Sequence, residues 1–267
     1  MGFSGHNARK RFGQHWLVDA AVLTRIIEAA ELGPSDTVLE IGPGRGALTE
    51  RLLNQPIQQL EAIELDRDLV EGLQLRFGMD QRFRLQQGDA LSLNLPVATK
   101  VVANIPYNIT GPLLERLLGR LHQPNQNPYQ LLVLLLQKEV AERITAEPGH
   151  SNFSALSVRM QLQAECISIC DVPARCFRPA PKVVSEVICI KPFANCLNPG
   201  LAKTVEILLH SAFASRRKML RNTLASFVPT GELQSWLGQG GISPQQRPQE
   251  VSAAQWVALA SALSAQI

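Results

Sequence analysis

The chain has 267 residues, 45% hydrophobic and 18% charged, with 18 Gly and 17 Pro. That is enough for one large domain, or one large and one small, with a core needing no covalent staples, and it excludes a disordered, collagen-like or fibrous chain. The formal charge is +3, and the whole excess lies in residues 193–267, which carry six of the 26 Lys/Arg and three of the 23 Asp/Glu.

In chain order, MGFSGHNARKRFGQHWL has basic residues with no apolar stretch behind them, so no secretory signal or transit peptide is expected. From about Pro34 strand and helix alternate. TVLEI (37–41) is a strand ending in glycines, and GALTERLLNQ (46–55) has helical spacing. QLEAIEL (59–65) and DLVEGLQLRF (68–77) form the next strand and helix. FRLQQGDAL (83–91) contains a third strand, and KVVAN (100–104) is a fourth. PLLERLLGRL (112–121) is a helix, and YQLLVLLLQ (129–137) a strand too apolar for a sheet edge. Near-continuous apolar strands between amphipathic helices predict a doubly wound α/β domain with a mainly parallel sheet covered on both faces.

NFSALSVRMQLQ (152–163) predicts a further helix. AECISICDV and VVSEVICIKP predict two strands around a Pro-rich loop. After Pro192 only helical patterns remain, in LAKTVEILLHSAFASR, KMLRNTLASF, GELQSWLGQ and SAAQWVALASAL, so a boundary is expected near residue 193: 1–192 as the α/β domain, 193–267 as a small all-helical one. The longest aliphatic run, Leu131–Leu136, is far short of the ~20 residues of a membrane helix. A soluble, cytoplasmic protein is expected. The five cysteines are odd in number and form no C-x-x-C, which argues against a disulfide framework and a metal site. Cys166 and Cys170 share one face of a strand and are expected as small buried hydrophobes.

The chemistry concentrates at strand ends. VLEIGPGRGALTE (38–50) places Gly42, Gly44 and Gly46 between a strand and a helix, in a G-x-G-x-G pattern rather than the G-x-G-x-x-G of dinucleotide enzymes. Glycines there allow a tight turn and close approach of a ligand. Glu40, Glu64 and Asp89 stand at successive strand ends. Glu64 can accept from both ribose hydroxyls of a nucleoside cofactor, and Asp89 from an adenine amine. VVANIPYNIT (101–110) closes the fourth strand, at the carboxyl edge where α/β folds bind ligands. The amino nitrogen of adenine is a poor nucleophile, because its lone pair is delocalised into the ring. The Asn104 side-chain oxygen and the Ile105 carbonyl can accept its two N–H bonds and favour a pyramidal nitrogen. Pro106 sets φ and adds no competing donor. Tyr107 offers a stacking face to a flipped base.

Taken together, IGPGRGALT, AIELD, QGDA and NIPY resemble the motifs of the KsgA/RsmA family of S-adenosylmethionine-dependent ribosomal RNA adenine dimethyltransferases. KRFGQHWLVD (10–19), FRPAPKVVSEV (177–187), FASRRKMLRNTL (213–224) and RPQEVS (247–252) are similar to the family's other signatures, in order and over nearly the whole chain. The resemblance implies a seven-stranded Rossmann-like sheet and direct methyl transfer to adenine N6, with no covalent intermediate and no metal. It implies that His15, Leu17, Gly42, Gly44, Glu64, Asp89 and Asn104 hold the cofactor. Asn104, Ile105, Pro106 and Tyr107 would face the target adenine, with Phe177 stacking on it opposite Tyr107. Arg216, Arg217, Lys218 and Arg221 would contact RNA phosphates; on charge alone they could equally be a solvated helix face. The implied substrate is two adjacent adenines in the 3′-terminal hairpin loop of 16S ribosomal RNA, in the 30S subunit or its precursor, acted on by a monomer with a part in ribosome biogenesis.

There are departures. Trp16 stands for a usual Phe, Val184 for a usual Asp, and Met219 and Gln249 for a common Thr and Glu. The alternatives are an Erm-like enzyme acting on large-subunit RNA, a DNA adenine methyltransferase, a non-catalytic assembly factor and a nicotinamide oxidoreductase. NIPY in place of a D/N-P-P-Y sequence counts against the DNA enzyme. The intact Glu64, Asp89, Asn104 and Tyr107 set counts against the non-catalytic factor.

Overall fold

The computed structural model describes residues 14–126, 129–227 and 232–264. Residues 10–13 of the N-terminal motif, Arg9 and Gly231 lie outside them. Seven strands form one sheet: β1 (Thr37–Ile41), β2 (Gln59–Glu64), β3 (Phe83–Gln87), β4 (Lys100–Asn104), β5 (Leu131–Gln137), β6 (Ala164–Val172) and β7 (Ser185–Pro192). Their spatial order is β3-β2-β1-β4-β5-β7-β6. The first five run parallel, and β7 pairs antiparallel with β5, Ser185 opposite Gln137. Leu131 to Leu136 are all buried, as expected of a central strand covered on both faces. The order turns back at β1 and β4, so the crevice between their carboxyl ends is where such a sheet accepts a ligand.

Five helices accompany these strands: α1 (Ala20–Ala29), α2 (Ala47–Leu53), α3 (Arg67–Phe77), α4 (Thr110–Leu118) and α5 (Lys138–Thr145). The sequence pattern predicted neither α1 nor α5. The Asp19 carboxylate starts α1 by accepting from Ala21 N and Val22 N at 3.0 and 3.1 Å. Val22, Leu23 and Ile26 then turn inward to the core. Helix α4 stops three residues before its predicted end, because Gly119 takes φ +78° and turns the chain away.

The chain divides into two compact units. One comprises residues 1–118, 125–141 and 166–192; the other comprises 119–124, 142–165 and 193–267. The second unit is thus discontinuous in sequence, whereas the composition change near residue 193 predicts a single cut. It holds α6 (Ala155–Gln163), α7 (Pro199–Ala214), α8 (Leu220–Thr223), α9 (Leu233–Gln239) and α10 (Ala253–Ser264). Its core packs Phe153, Val158, Leu208, Leu209, Trp256 and Leu259. Arg159 Nε meets both carboxylate oxygens of Glu206, at 3.0 and 2.9 Å, tying α6 to α7. Helix α8 is a single turn, shorter than the helix predicted over 218–227.

All five cysteines are free thiols. Cys166 and Cys170 are half-buried rather than buried, because β6 is the edge strand of the sheet.

Candidate active site

The cleft opens at the carboxyl ends of β1, β2, β3 and β4, and encloses about 310 Å³. Its floor begins with the glycine turn. Gly44 has φ +60°, and a Cβ there would lie 2.7 Å from Trp16 Cδ1. Glycine is therefore required twice, by backbone conformation and by the indole packed against it. A Cβ on Gly42 (φ +69°) would meet the Pro106 ring at 3.5 Å and fill the space between turn and NIPY segment. The Arg45 guanidinium lies 3.9 Å from the centre of the Trp16 ring, a cation–π contact on the indole face.

Gly46 is the N-cap of α2 and has no side chain to cap it. Glu40 does that work from the preceding strand, accepting from the Thr49 backbone N–H and also from Thr49 Oγ1 at 2.7 Å. Glu40 is fully buried and is not part of the cleft wall. It therefore leaves the trio of acids expected at the ligand. Burial pushes its carboxyl up to about 8, against the Thr49 hydrogen bonds that favour the charged form.

Glu64 lines the cleft at the end of β2. Its carboxylate accepts from Gly44 N at 3.0 Å and Asp66 N at 2.9 Å, so backbone donors fix both oxygens. Burial still raises its pKa above the usual carboxylate range. Each oxygen keeps a second lone pair for a hydroxyl donor. Asp89 lies beyond β3 and caps its own turn, accepting from Leu91 N at 2.9 Å. Leu65 and Ile63 supply apolar wall.

Asn104 ends β4. Its Nδ2 donates to the His15 carbonyl at 3.0 Å. A carbonyl can only accept, so the amide orientation is set by chemistry, and Oδ1 is the atom left for a ligand. The Ile105 amide donates to Leu135 O at 3.0 Å, extending the ladder one residue past the strand and holding the peptide before Pro106. Tyr107 opens a short 3₁₀ turn, Tyr107–Ile109. Its hydroxyl meets Ser185 Oγ at 2.5 Å, and its ring stacks on His15 with centroids 5.6 Å apart and planes 22° apart. Burial raises the Tyr107 pKa, partly offset by the Ser185 bond. His15 Nδ1 in turn donates to Pro179 O at 2.9 Å.

His15, Gly42, Gly44, Glu64, Asp89, Asn104, Ile105, Pro106 and Tyr107 thus come together in one cleft. Leu17 and Phe177 do not. They face each other in the two-residue antiparallel ladder of Trp16–Leu17 with Phe177–Arg178. Leu17 is 4% exposed and Phe177 0%, both within the core. The cleft receives Trp16 where Leu17 was expected, because successive residues of a strand point to opposite sides. A buried Phe177 offers no ring face to a base. Trp16 and Ser185 are the residues that sequence reasoning missed. A glycine with positive φ facing the indole is visible only in three dimensions.

In the helical unit, Arg216–Lys218 lie in the turn after α7, not on a helix, and Arg221 lies in α8. Arg217, Lys218 and Arg221 are exposed. Arg216 is half-buried and donates through Nη2 to the Ser151 carbonyl, so it braces the turn.

The lining fits S-adenosylmethionine: a glycine turn that admits close approach, a backbone-anchored carboxylate that would accept from a ribose, and a second carboxylate that would accept from an adenine amine. Sheet order and cleft together define the class, a methyltransferase that takes this cofactor. The family model for ribosomal RNA adenine dimethylase matches residues 5–265, and the chain belongs to that family. A Prochlorococcus marinus (strain MIT 9313) protein named ribosomal RNA small subunit methyltransferase A is 63% identical over 271 residues, covering 99% of this chain and 97% of its own. A Synechococcus sp. (strain RCC307) protein of the same name is 62% identical, covering 98% of each. Among solved structures, a dimethyladenosine transferase from Plasmodium falciparum superposes with TM-score 0.79 at 26% identity, over 92% of this chain and 96% of that one. The 23S rRNA methyltransferase ErmE superposes with TM-score 0.76, also at 26% identity, over 93% and 99%. The enzyme is an S-adenosylmethionine-dependent rRNA adenine dimethyltransferase. Among the described residues, no helix is long and apolar enough to cross a membrane.

Proposed function

We propose that this enzyme acts on the small subunit, dimethylating N6 of two adjacent adenines in the 3′-terminal hairpin loop of 16S ribosomal RNA. The substrate is the 30S particle or its precursor, and the enzyme works as a cytoplasmic monomer. The name carried by relatives at 60–63% identity supports the small-subunit assignment. The observation that carries the chemistry is the Asn104 amide, turned by the His15 carbonyl so that Oδ1 accepts.

S-adenosylmethionine supplies an electrophilic methyl group when bound. Glu64 would hold its ribose and Asp89 its adenine amine, with Asn104 in the same cleft. Asn104 Oδ1 and the Ile105 carbonyl accept the N–H bonds of the target amine. That draws its lone pair out of conjugation and stabilises the positive charge that develops on nitrogen. Tyr107, braced by Ser185 and His15, gives the base a fixed face. Alignment of donor and acceptor supplies much of the acceleration. The methylated nitrogen is acidic and releases its proton to water. In the second round only one N–H remains, so one of the two acceptors suffices. Arg217, Lys218 and Arg221 supply phosphate contacts that fix register without reading bases.

The fold likeness to ErmE makes large-subunit RNA the competing substrate. The test is transfer of tritiated methyl to undermethylated small and large subunits side by side. Label confined to small-subunit RNA supports the proposal. Label in large-subunit RNA overturns it.

A further inference from the structure

A second cavity of about 340 Å³ lies in the α/β unit, lined by Asn94, Leu95, Pro96, Val97, Arg116 and Tyr129 among others. Asn94–Val97 precede β4, and Tyr129 precedes β5, so the cavity sits at the amino ends of those strands. The cofactor cleft is at their carboxyl ends. Arg116 reaches it from the last turn of α4, which starts at the cleft and runs back along the sheet.

Among the described residues the lining holds no acidic side chain. Among the described residues Arg116 meets no carboxylate. Its Nη2 donates to the Leu93 carbonyl, and its Nε is buried with no partner. The Asn94 side chain is exposed at the mouth of the cavity, and the Tyr129 ring is buried against the same space. A guanidinium held at Nη2 by one carbonyl, with no anion beside it, is an incomplete arrangement. A tetrahedral oxyanion completes it, taking charged bonds from Arg116 and neutral ones from the Asn94 amide and the Tyr129 hydroxyl. Leu95, Pro96 and Val97 add an apolar lip on the same side. Val97 is 81% exposed, so the lip is open to a ligand from solvent.

We propose that this cavity is a phosphate-binding site, separate from the cofactor cleft, that takes the phosphate group of a nucleotide through Arg116, Asn94 and Tyr129. The phosphate belongs either to a free nucleotide or to the RNA backbone.

Calorimetric titration of the full chain with AMP, inorganic phosphate and adenosine tests it, each with and without saturating S-adenosylmethionine. AMP and phosphate bind saturably, adenosine binds at least about tenfold more weakly than AMP, and S-adenosylmethionine changes none of these. Arg116→Gln removes the charge, and Asn94→Asp places a like charge at the rim of the site. Each weakens AMP about tenfold or more and leaves S-adenosylmethionine affinity unaltered. Should Arg116→Gln fail to fold, Asn94→Asp, in an exposed loop, decides alone. An RNA hairpin that displaces AMP assigns the phosphate to RNA; AMP binding that persists beside the hairpin assigns it to a free nucleotide. Absence of AMP and phosphate binding overturns the proposal. So does displacement of AMP by S-adenosylmethionine, or equal binding by wild type and Asn94→Asp.

Discussion

Asn104 offers the sharpest perturbation, because its two ends do different work. The amide nitrogen is spent on the His15 carbonyl at 3.0 Å, and only Oδ1 remains for the target amine. Asn104→Ala removes the acceptor. Losing one preorganised hydrogen-bonding group from an active site costs ~10²–10³ in rate, or ~2.7–4 kcal/mol. Asn104→Asp keeps an acceptor but sets a carboxylate oxygen against the His15 carbonyl, with no proton between them. That removes a neutral hydrogen bond of ~0.5–1.5 kcal/mol and frees the side chain to rotate. A smaller loss is expected, about tenfold, with the Tyr107–His15 stack loosened as His15 shifts. The assay is single-turnover methyl transfer at saturating RNA and cofactor, with S-adenosylmethionine affinity measured in parallel. A rate for Asn104→Ala within about threefold of wild type would refute the assignment of Oδ1 as the amine acceptor.

Glu64→Gln is not a mild change, because its new NH₂ must face either Gly44 N or Asp66 N, and both are donors. S-adenosylmethionine should bind at least about tenfold more weakly, since hydrogen bonds to a charged acceptor are worth ~1.5–3 kcal/mol each; unchanged affinity in a folded variant would remove Glu64 from the site. Glu40 makes the pH dependence of stability predictable in sign. Its folded pKa, about 8, lies above the ordinary 4.5, so its contribution is full below pH 4.5 and is lost as pH rises through 8. Each unit in that window costs up to ~1.4 kcal/mol, and Glu40→Gln, which still accepts from Thr49, should flatten urea stability between pH 6 and 8; parallel curves would contradict this. Phe177→Ala should act on stability first, by the ~3–5 kcal/mol of an emptied core position. A variant of unchanged melting temperature with methylation lost would instead return Phe177 to the target base.

The central parallel strands were legible because a strand buried on both faces reads as an unbroken apolar run, as Leu131–Leu136 does. Helix α5 was not. Its residues KEVAERIT follow β5 with no turn signal, and its mean character is polar. The acids Glu64 and Asp89 and the NIPY segment could be placed from strand ends alone, since the sheet dictates which edge they occupy. Glu40 was misjudged for a physical reason. A strand residue one position earlier points to the opposite face, and that face meets α2, not the ligand. Phe177 failed in the same way, since nothing in FRPAPK tells which side of a two-residue ladder its ring takes. Contacts such as Trp16 on Gly44 and Tyr107 on Ser185 join distant segments, and no local pattern encodes them.

The central claim is that the cleft delivers a methyl group to the exocyclic nitrogen of adenine in ribosomal RNA. Nucleoside analysis of undermethylated small-subunit RNA, after incubation with enzyme and S-adenosylmethionine, tests it most directly. The account predicts N6,N6-dimethyladenosine, with the N6-monomethyl nucleoside as its precursor. A methyl group on a ring nitrogen, on a ribose hydroxyl or on another base would contradict it.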